Sequence, residues 1–191
     1  MRTFVAIDIP SGIRHQIREL LDLLQRAASP SGSNVRWSRA EGLHITLKFL
    51  GEVSPEKVEQ IKTQLQSVRL AAPLPIEVRG AGFFPNERAP RVIWLGIQAG
   101  PELADLARRI EESLAPLGIA KEDRPFSAHL TLGRLRAPDK LVAVREVLRQ
   151  RESLVMGSFT AEEFHLYESQ LAPGGSIYRR IARFPLVEAT A

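Results

Sequence analysis

Two near-identical tetrads constrain this chain more than anything else in it: His44-Ile45-Thr46-Leu47 and His129-Leu130-Thr131-Leu132. The whole sequence holds four histidines and six threonines, so two such pairings are hard to reach by accident. In a β-strand, side chains at i and i+2 share a face, while those at i+1 and i+3 take the other. His44 and Thr46 therefore project together, with Ile45 and Leu47 facing a core. His129 and Thr131 repeat the arrangement. Phe4, in an apolar opening run, precedes His44 by 40 residues, and Val92, in a similar run, precedes His129 by 37. The chain thus carries two halves built to one plan.

Apolar periodicity fills in the plan. Thr3 to Ile9 alternates as a strand and is broken by Pro10-Ser11-Gly12. Ile13, Ile17, Leu20, Leu21 and Leu24 form a helical stripe that Ser11 can cap. A loop follows at Ser29 to Asn34, then a short strand from Val35 to Ser38 and a firmer one from Leu43 to Leu50. Ser54-Pro55 opens a second helix bearing Val58, Ile61, Leu65 and Val68. Ile76 to Phe84 is strand-like, with bulges expected at Gly80 and Gly82. The second series reads as a strand from Arg91 to Gln98, a helix from Pro101 to Leu117, a strand from Ser127 to Leu135 and a helix from Pro138 to Arg151. Strands from Ser158 to Glu168 and from Ser176 to Phe184 close it around Pro173-Gly174-Gly175. No long linker separates the halves. The expected fold is α+β: residues 1–191 form a single bilobal domain of two similar lobes. Each lobe is an antiparallel sheet with flanking helices, related by a pseudo-two-fold axis around a central cleft.

At 191 residues the chain is long enough for a substantial core. The absence of cysteine excludes disulfide scaffolds, thiolate metal sites and cysteine nucleophiles. No run approaches the roughly 18 apolar residues of a membrane span, and a cytoplasmic location is the default. The net charge is +4. Of 26 basic residues, 21 are arginine, whose planar fork matches phosphate oxygens. Codon preference and an anionic ligand both account for that excess.

If the two polar strand faces meet in the cleft, they supply two imidazoles and two hydroxyls. A histidine titrates near pH 6.5 unperturbed, so a pair can act as acid and base. Threonine hydroxyls can donate to an oxyanion. This set suits displacement at phosphorus without a metal. Two other readings stand beside it: ordinary strands with buried, hydrogen-bonded histidines, and a metal site, for which two histidines are a poor ligand set.

The stretches Arg36-Trp37, Leu43-His44-Ile45-Thr46-Leu47-Lys48-Phe49-Leu50-Gly51-Glu52-Val53 and His129-Leu130-Thr131-Leu132-Gly133-Arg134 resemble the RNA 2′,3′-cyclic phosphodiesterases, also called 2′-5′ RNA ligases of the LigT type, in the two-histidine (2H) phosphoesterase superfamily. The opening Arg2 to Ile7, Gly82 to Pro85, Pro90 to Trp94 and Leu166 to Ser169 extend the likeness along nearly the whole chain. The resemblance implies metal-independent hydrolysis of an RNA 2′,3′-cyclic phosphate end, or of a small cyclic nucleotide, to a 2′-phosphate, with no cofactor. It implies His44 as proton donor, His129 as proton acceptor, and Thr46, Thr131 and Arg134 as phosphate ligands. Reversible 2′-5′ ligation would use the same residues. The tetrads are too symmetric to assign acid and base from sequence. By strict alternation Arg134 falls on the core side with Leu130 and Leu132. A non-catalytic module that binds RNA ends is the alternative in another class, and a monomer is expected.

Lys48 reads as lining the cleft or reaching solvent. Of Phe83, Phe84 and Trp94, at least two are expected in the core, with base stacking open to the other. Arg179 and Arg180, with Arg183 beyond, read as a contact to the RNA backbone or a solvated edge, the edge being favoured; His165 reads as a surface or partly satisfied residue, and His15 as exposed.

Overall fold

A computed structural model describes residues 1–28, 34–137, 139–151, 155–172 and 175–188. Nine strands and four helices appear among them, in the order β1 (Arg2–Asp8), α1 (Ser11–Ala28), β2 (Val35–Trp37), β3 (His44–Glu52), α2 (Pro55–Leu65), β4 (Leu74–Phe84), β5 (Val92–Ala99), α3 (Pro101–Leu114), β6 (His129–Leu135), α4 (Val142–Arg149), β7 (Val155–Ala161), β8 (Glu163–Ala172) and β9 (Gly175–Pro185). Short 3-10 turns lie at Ala40–Gly42 and Ala115–Leu117. Two antiparallel sheets result, ordered β3-β1-β8-β9 and β2-β6-β5-β4-β7. The α+β two-sheet architecture is the one the sequence led us to expect. Among the described residues, no helix is long and apolar enough to cross a membrane.

The lobes are not the sequence halves. The first sheet takes β1 and β3 from the N-terminal half and β8 and β9 from the C-terminus, while β2 and β4 join the second sheet. The helices also cross over. Helix α1 follows β1 but packs on α4 and β7, whereas α3 follows β5 but packs on α2 and β3. Each helix buries one apolar stripe: Ile13, Ile17, Leu20, Leu21 and Leu24 on α1, and Leu103, Leu106, Ile110 and Leu114 on α3. With the inward faces of both sheets these side chains form a single connected core. Ser54 caps α2 as its position suggests, accepting from the Lys57 backbone N–H at 3.2 Å.

Three boundaries differ from the pattern. Ser158 to Glu168 is not one strand: it divides at Glu162 into β7, in the second sheet, and β8, in the first. Both pieces are strand-like in composition and only Glu162 separates them, so the sequence does not mark the change of sheet. The helix expected from Pro138 begins at Val142, and the one expected to reach Leu117 tightens into a 3-10 turn at Ala115. Residues 29–33, Pro138 and the Pro173-Gly174 part of the final turn lie outside the described residues.

Candidate active site

Each tetrad sits at the start of a strand, β3 or β6, and each strand carries the same irregularity. In the β1–β3 ladder Ala6 pairs with Thr46 and Val5 with Lys48, leaving Leu47 extra. In the β5–β6 ladder Trp94 pairs with Thr131 and Ile93 with Gly133, leaving Leu132 extra. A bulge of this kind puts two successive residues on one side and reverses alternation beyond it. Leu47 and Lys48 both turn inward, and so do Leu132 and Gly133. The residues after them, Phe49 and Arg134, emerge on the face of the histidines.

This reversal settles two expectations. Arg134 is exposed on the His129 and Thr131 side, against strict alternation. Lys48 neither lines the cleft nor reaches solvent. Its residue is 2% exposed, and its ammonium bonds Glu111 Oε1 at 2.9 Å and the Ala120 carbonyl at 2.8 Å, tying β3 to α3. Ser38 secures the second bulge. Its Oγ donates to the Thr131 carbonyl at 2.7 Å, and its backbone N–H donates to the Leu132 carbonyl at 2.8 Å.

On the first sheet, His44 stacks on Phe4 with ring centroids 4.5 Å apart and meets the edge of Tyr178 at 5.0 Å. Tyr167 stacks on Phe4 at 5.3 Å and lies 6.0 Å from the His44 ring, so the three rings form one cluster. Asp8 pairs with His44 across the β1–β3 ladder. Its carboxylate accepts from the Tyr167 hydroxyl and from the Arg180 guanidinium. Burial is the largest influence on the His44 ring and pushes it down from 6.5 to about 4; the Gly42 carbonyl and the Asp8 charge oppose this without overcoming it. Arg14 clamps the preceding turn, donating to the carbonyls of Ile9 at 2.9 Å and Ala40 at 3.1 Å and to that of Glu41. A pocket of about 360 Å³ opens here, lined by Asp8, Gly42, His44, Tyr167, Tyr178 and Arg180 among others.

On the second sheet, His129 Nδ1 lies 2.8 Å from the Ser127 carbonyl. Donation there fixes the tautomer and leaves Nε2 as the unprotonated nitrogen of the neutral ring. The carbonyl that meets His44 is likewise two residues back in the chain. Phe84 meets His129 edge-on at 5.1 Å and stacks on Trp94 at 5.2 Å. Phe83 alone of the three aromatics is in the core, at 8% exposure; Phe84 and Trp94 lie half-buried on the histidine face. Thr46 and Thr131 are half-buried beside their histidines. Strands β3 and β6 approach each other between the sheets, although His129 does not line the pocket around His44.

The remaining expectations divide. His15 is exposed, near Glu19 at 3.8 Å. His165 is buried, with Nε2 3.0 Å from Glu163 Oε1 and Nδ1 3.8 Å from Asp8 Oδ2, and burial lowers its proton affinity. The edge arginines are not simply solvated: Arg179 pairs with Glu168 and Arg180 with Asp8. Asp8, Arg14, Ser38 and Tyr178 stand around the tetrads without having been singled out as site residues, whereas Arg180, weighed as an RNA contact, lines the pocket beside His44. Asp8 could have been found, since it continues the even-numbered face of Phe4 and Ala6. The others come from distant segments with no shared motif. Among the described residues, no three His, Cys, Asp or Glu side chains come together as a set that could hold a metal ion.

Comparison with known proteins gives the family. The model of the LigT-like phosphoesterase family matches two consecutive segments, 7–94 and 95–178, one around each tetrad. An RNA 2′,3′-cyclic phosphodiesterase of Archaeoglobus fulgidus is 38% identical over 184 residues, covering 96% of this chain and 99% of the relative. The protein of the same name from Escherichia coli is 33% identical, covering 98% and 97%. Among solved structures, TT0787 of Thermus thermophilus superposes with a TM-score of 0.76 at 29% identity, covering 97% of this chain and 98% of that one. E. coli LigT complexed with ATP superposes with a TM-score of 0.74 at 31% identity, covering 98% of each.

Proposed function

The chain belongs to the LigT-like phosphoesterases, and from that membership we propose that it opens the terminal 2′,3′-cyclic phosphate of RNA to a 2′-phosphate by paired histidine catalysis without a metal. Water oxygen bonds to phosphorus as the bond from phosphorus to the 3′ oxygen breaks. The water proton passes to one imidazole, and the other gives its proton to the departing 3′ oxygen. Thr46 and Thr131 donate to the non-bridging oxygens. With a ribose 5′-hydroxyl in place of water, the same transfer gives 2′-5′ joining.

The observation that carries this reading is the matched pair of bulged strands, each presenting His-x-Thr to the open face of its own sheet. Relatives named RNA 2′,3′-cyclic phosphodiesterase over nearly the full length support the substrate class. His44→Ala or His129→Ala is expected to lower turnover of a 2′,3′-cyclic-ended RNA by at least about a hundredfold, in the range of general acid–base loss, while circular dichroism stays native. Excess chelator is expected to leave the wild-type rate intact. Full activity in both variants refutes the mechanism, and chelator-dependent loss refutes metal independence. Salt-sensitive RNA binding with no product would mark a binding module instead.

His44 is taken as the donor and His129 as the acceptor. Because burial keeps His44 neutral in the free protein near pH 7, a donor role requires the entering phosphate anion to draw a proton onto it. The same burial favours a second reading with the roles exchanged. The pH dependence of kcat/KM, which reports free-enzyme groups, separates them. A donor His44 gives a rate that falls as pH rises above about 4; an acceptor His44 gives a rate that climbs through about 4.

A further inference from the structure

Between β2 and β3 the chain crosses from the second sheet to the first within residues 38–43, and we propose that Arg14 is the positioning residue that holds this crossover, and with it the His44 ring, in place relative to the second tetrad. The inference deepens the cyclic phosphodiesterase reading and rests on it. At one end of the crossover Ser38 is fixed to β6, through its Oγ to the Thr131 carbonyl and through its backbone N–H to the Leu132 carbonyl. The other end runs straight into His44, the first residue of β3. The 3-10 turn Ala40–Gly42 lies between them. The shape of this short segment therefore sets where His44 stands with respect to His129.

The His44 end needs a tie of its own. The β1–β3 ladder ends on the row that pairs Asp8 with His44. A single 3-10 turn has poor hydrogen-bond geometry, and this one has no side-chain cap at Arg39. Arg14 serves both places. From the first turn of α1 its guanidinium joins two segments: Nη2 donates to the Ile9 carbonyl at 2.9 Å, just past β1, while Nη1 donates to the Ala40 carbonyl at 3.1 Å and to that of Glu41, both on the turn. A planar fork spans such a set of acceptors, and the point charge of an ammonium does not reproduce it. Gly42 follows directly. Its carbonyl is hydrogen-bonded to the His44 ring, and a Cβ on it would come within 3.0 Å of the Tyr178 ring, whose edge meets His44. Contact thus runs from guanidinium to turn and from turn to imidazole. The Arg14 charge opposes a proton on His44, so what the residue contributes there is placement rather than attraction.

The test measures kcat and KM on a tetraribonucleotide with a 2′,3′-cyclic end. The proteins are the wild type, Arg14→Gln, Arg14→Lys and the control Arg18→Gln, which removes an exposed ion pair to Glu41 on the same turn. Both Arg14 variants should lose roughly ten- to a hundredfold in kcat, the cost of a slightly misplaced group, with KM nearly unchanged. Arg18→Gln should keep the wild-type kcat, because exposed pairs contribute little. Combined with Ser38→Ala, Arg14→Gln should lose less than the product of the two single losses, since both residues hold one segment. In spectra of the free ¹⁵N-histidine-labelled proteins, the His44 ring signals should move in both Arg14 variants while those of His129 and His165 stay. A wild-type kcat in Arg14→Lys would assign the effect to charge, and a raised KM at wild-type kcat would make Arg14 a substrate ligand; either overturns the inference. So do an unmoved His44 ring, a matching loss in Arg18→Gln, or fully multiplicative losses in the double variant. If Arg14→Gln does not fold, Arg14→Lys decides alone; if neither folds, the clamp serves the fold at large and the inference falls. All of these outcomes leave wild-type turnover in place, whereas a wild type that opens no cyclic phosphate overturns the parent reading and this one with it.

Discussion

The His44 ring lies against Phe4 and Tyr178, and its removal from water outweighs the pull of Asp8 on its proton. Folded His44 binds its proton only near pH 4, whereas an unfolded histidine binds it near 6.5. Between those values the unfolded chain holds more protons, so stability is full above about pH 6.5 and declines as pH falls towards 4. At pH 5 this amounts to on the order of 2 kcal/mol. Burial shifts His165 in the same direction. Urea unfolding of wild type and His44→Gln at pH 7 and pH 5 checks the claim. The midpoint should drop less with pH in the variant; equal drops would show that His44 is not proton-depleted when folded. Lys48 makes a second residue-scale case. Its ammonium is almost fully buried on Glu111 and the Ala120 carbonyl. Lys48→Met is expected to cost about 1–3 kcal/mol in urea unfolding by leaving those partners unmatched.

At the scale of elements, the paired bulges matter most. Strand alternation correctly placed His44 with Thr46 and His129 with Thr131, because those residues precede the irregularity. It failed for Lys48 and Arg134, because each follows it. A bulge is fixed by partners across the sheet, here Ser38 for β6, and two-residue periodicity contains no trace of them. Ser38→Ala removes the bond to the Thr131 carbonyl. It should lower stability by about 1 kcal/mol and reduce kcat more than it changes KM, since the residue positions Thr131 without touching substrate. A kcat equal to wild type would show that the bulge holds without this staple. Gly82 is constrained in a different way: a Cβ there would come within 2.4 Å of the Trp94 indole. Gly82→Ala should displace Trp94, loosen the Phe84 stack beside His129 and change the near-ultraviolet circular dichroism of tryptophan.

At the scale of the molecule, crossed helices and shared strands join the two sheets. The internal duplication, the helix stripes and the α+β class were legible because each depends on local periodicity or on a repeated motif. The change of sheet at Glu162 and the burial of His165 were not, since both are decided by which strands pair. Because α1 packs with α4, and α3 with α2, neither sequence half keeps its own core. We therefore propose one cooperative unit. Fluorescence and far-ultraviolet circular dichroism should report coincident unfolding transitions, and two separated transitions would show independent lobes. The central claim is that rings from both sheets address one phosphorus atom. Its most direct test is titration of ¹⁵N-histidine-labelled protein with a nucleoside 2′-monophosphate, following the ring nitrogens by NMR. The account predicts that His44 and His129 resonances move together and saturate at one equivalent. Movement of only one ring, or of the two at separate stoichiometries, would contradict it.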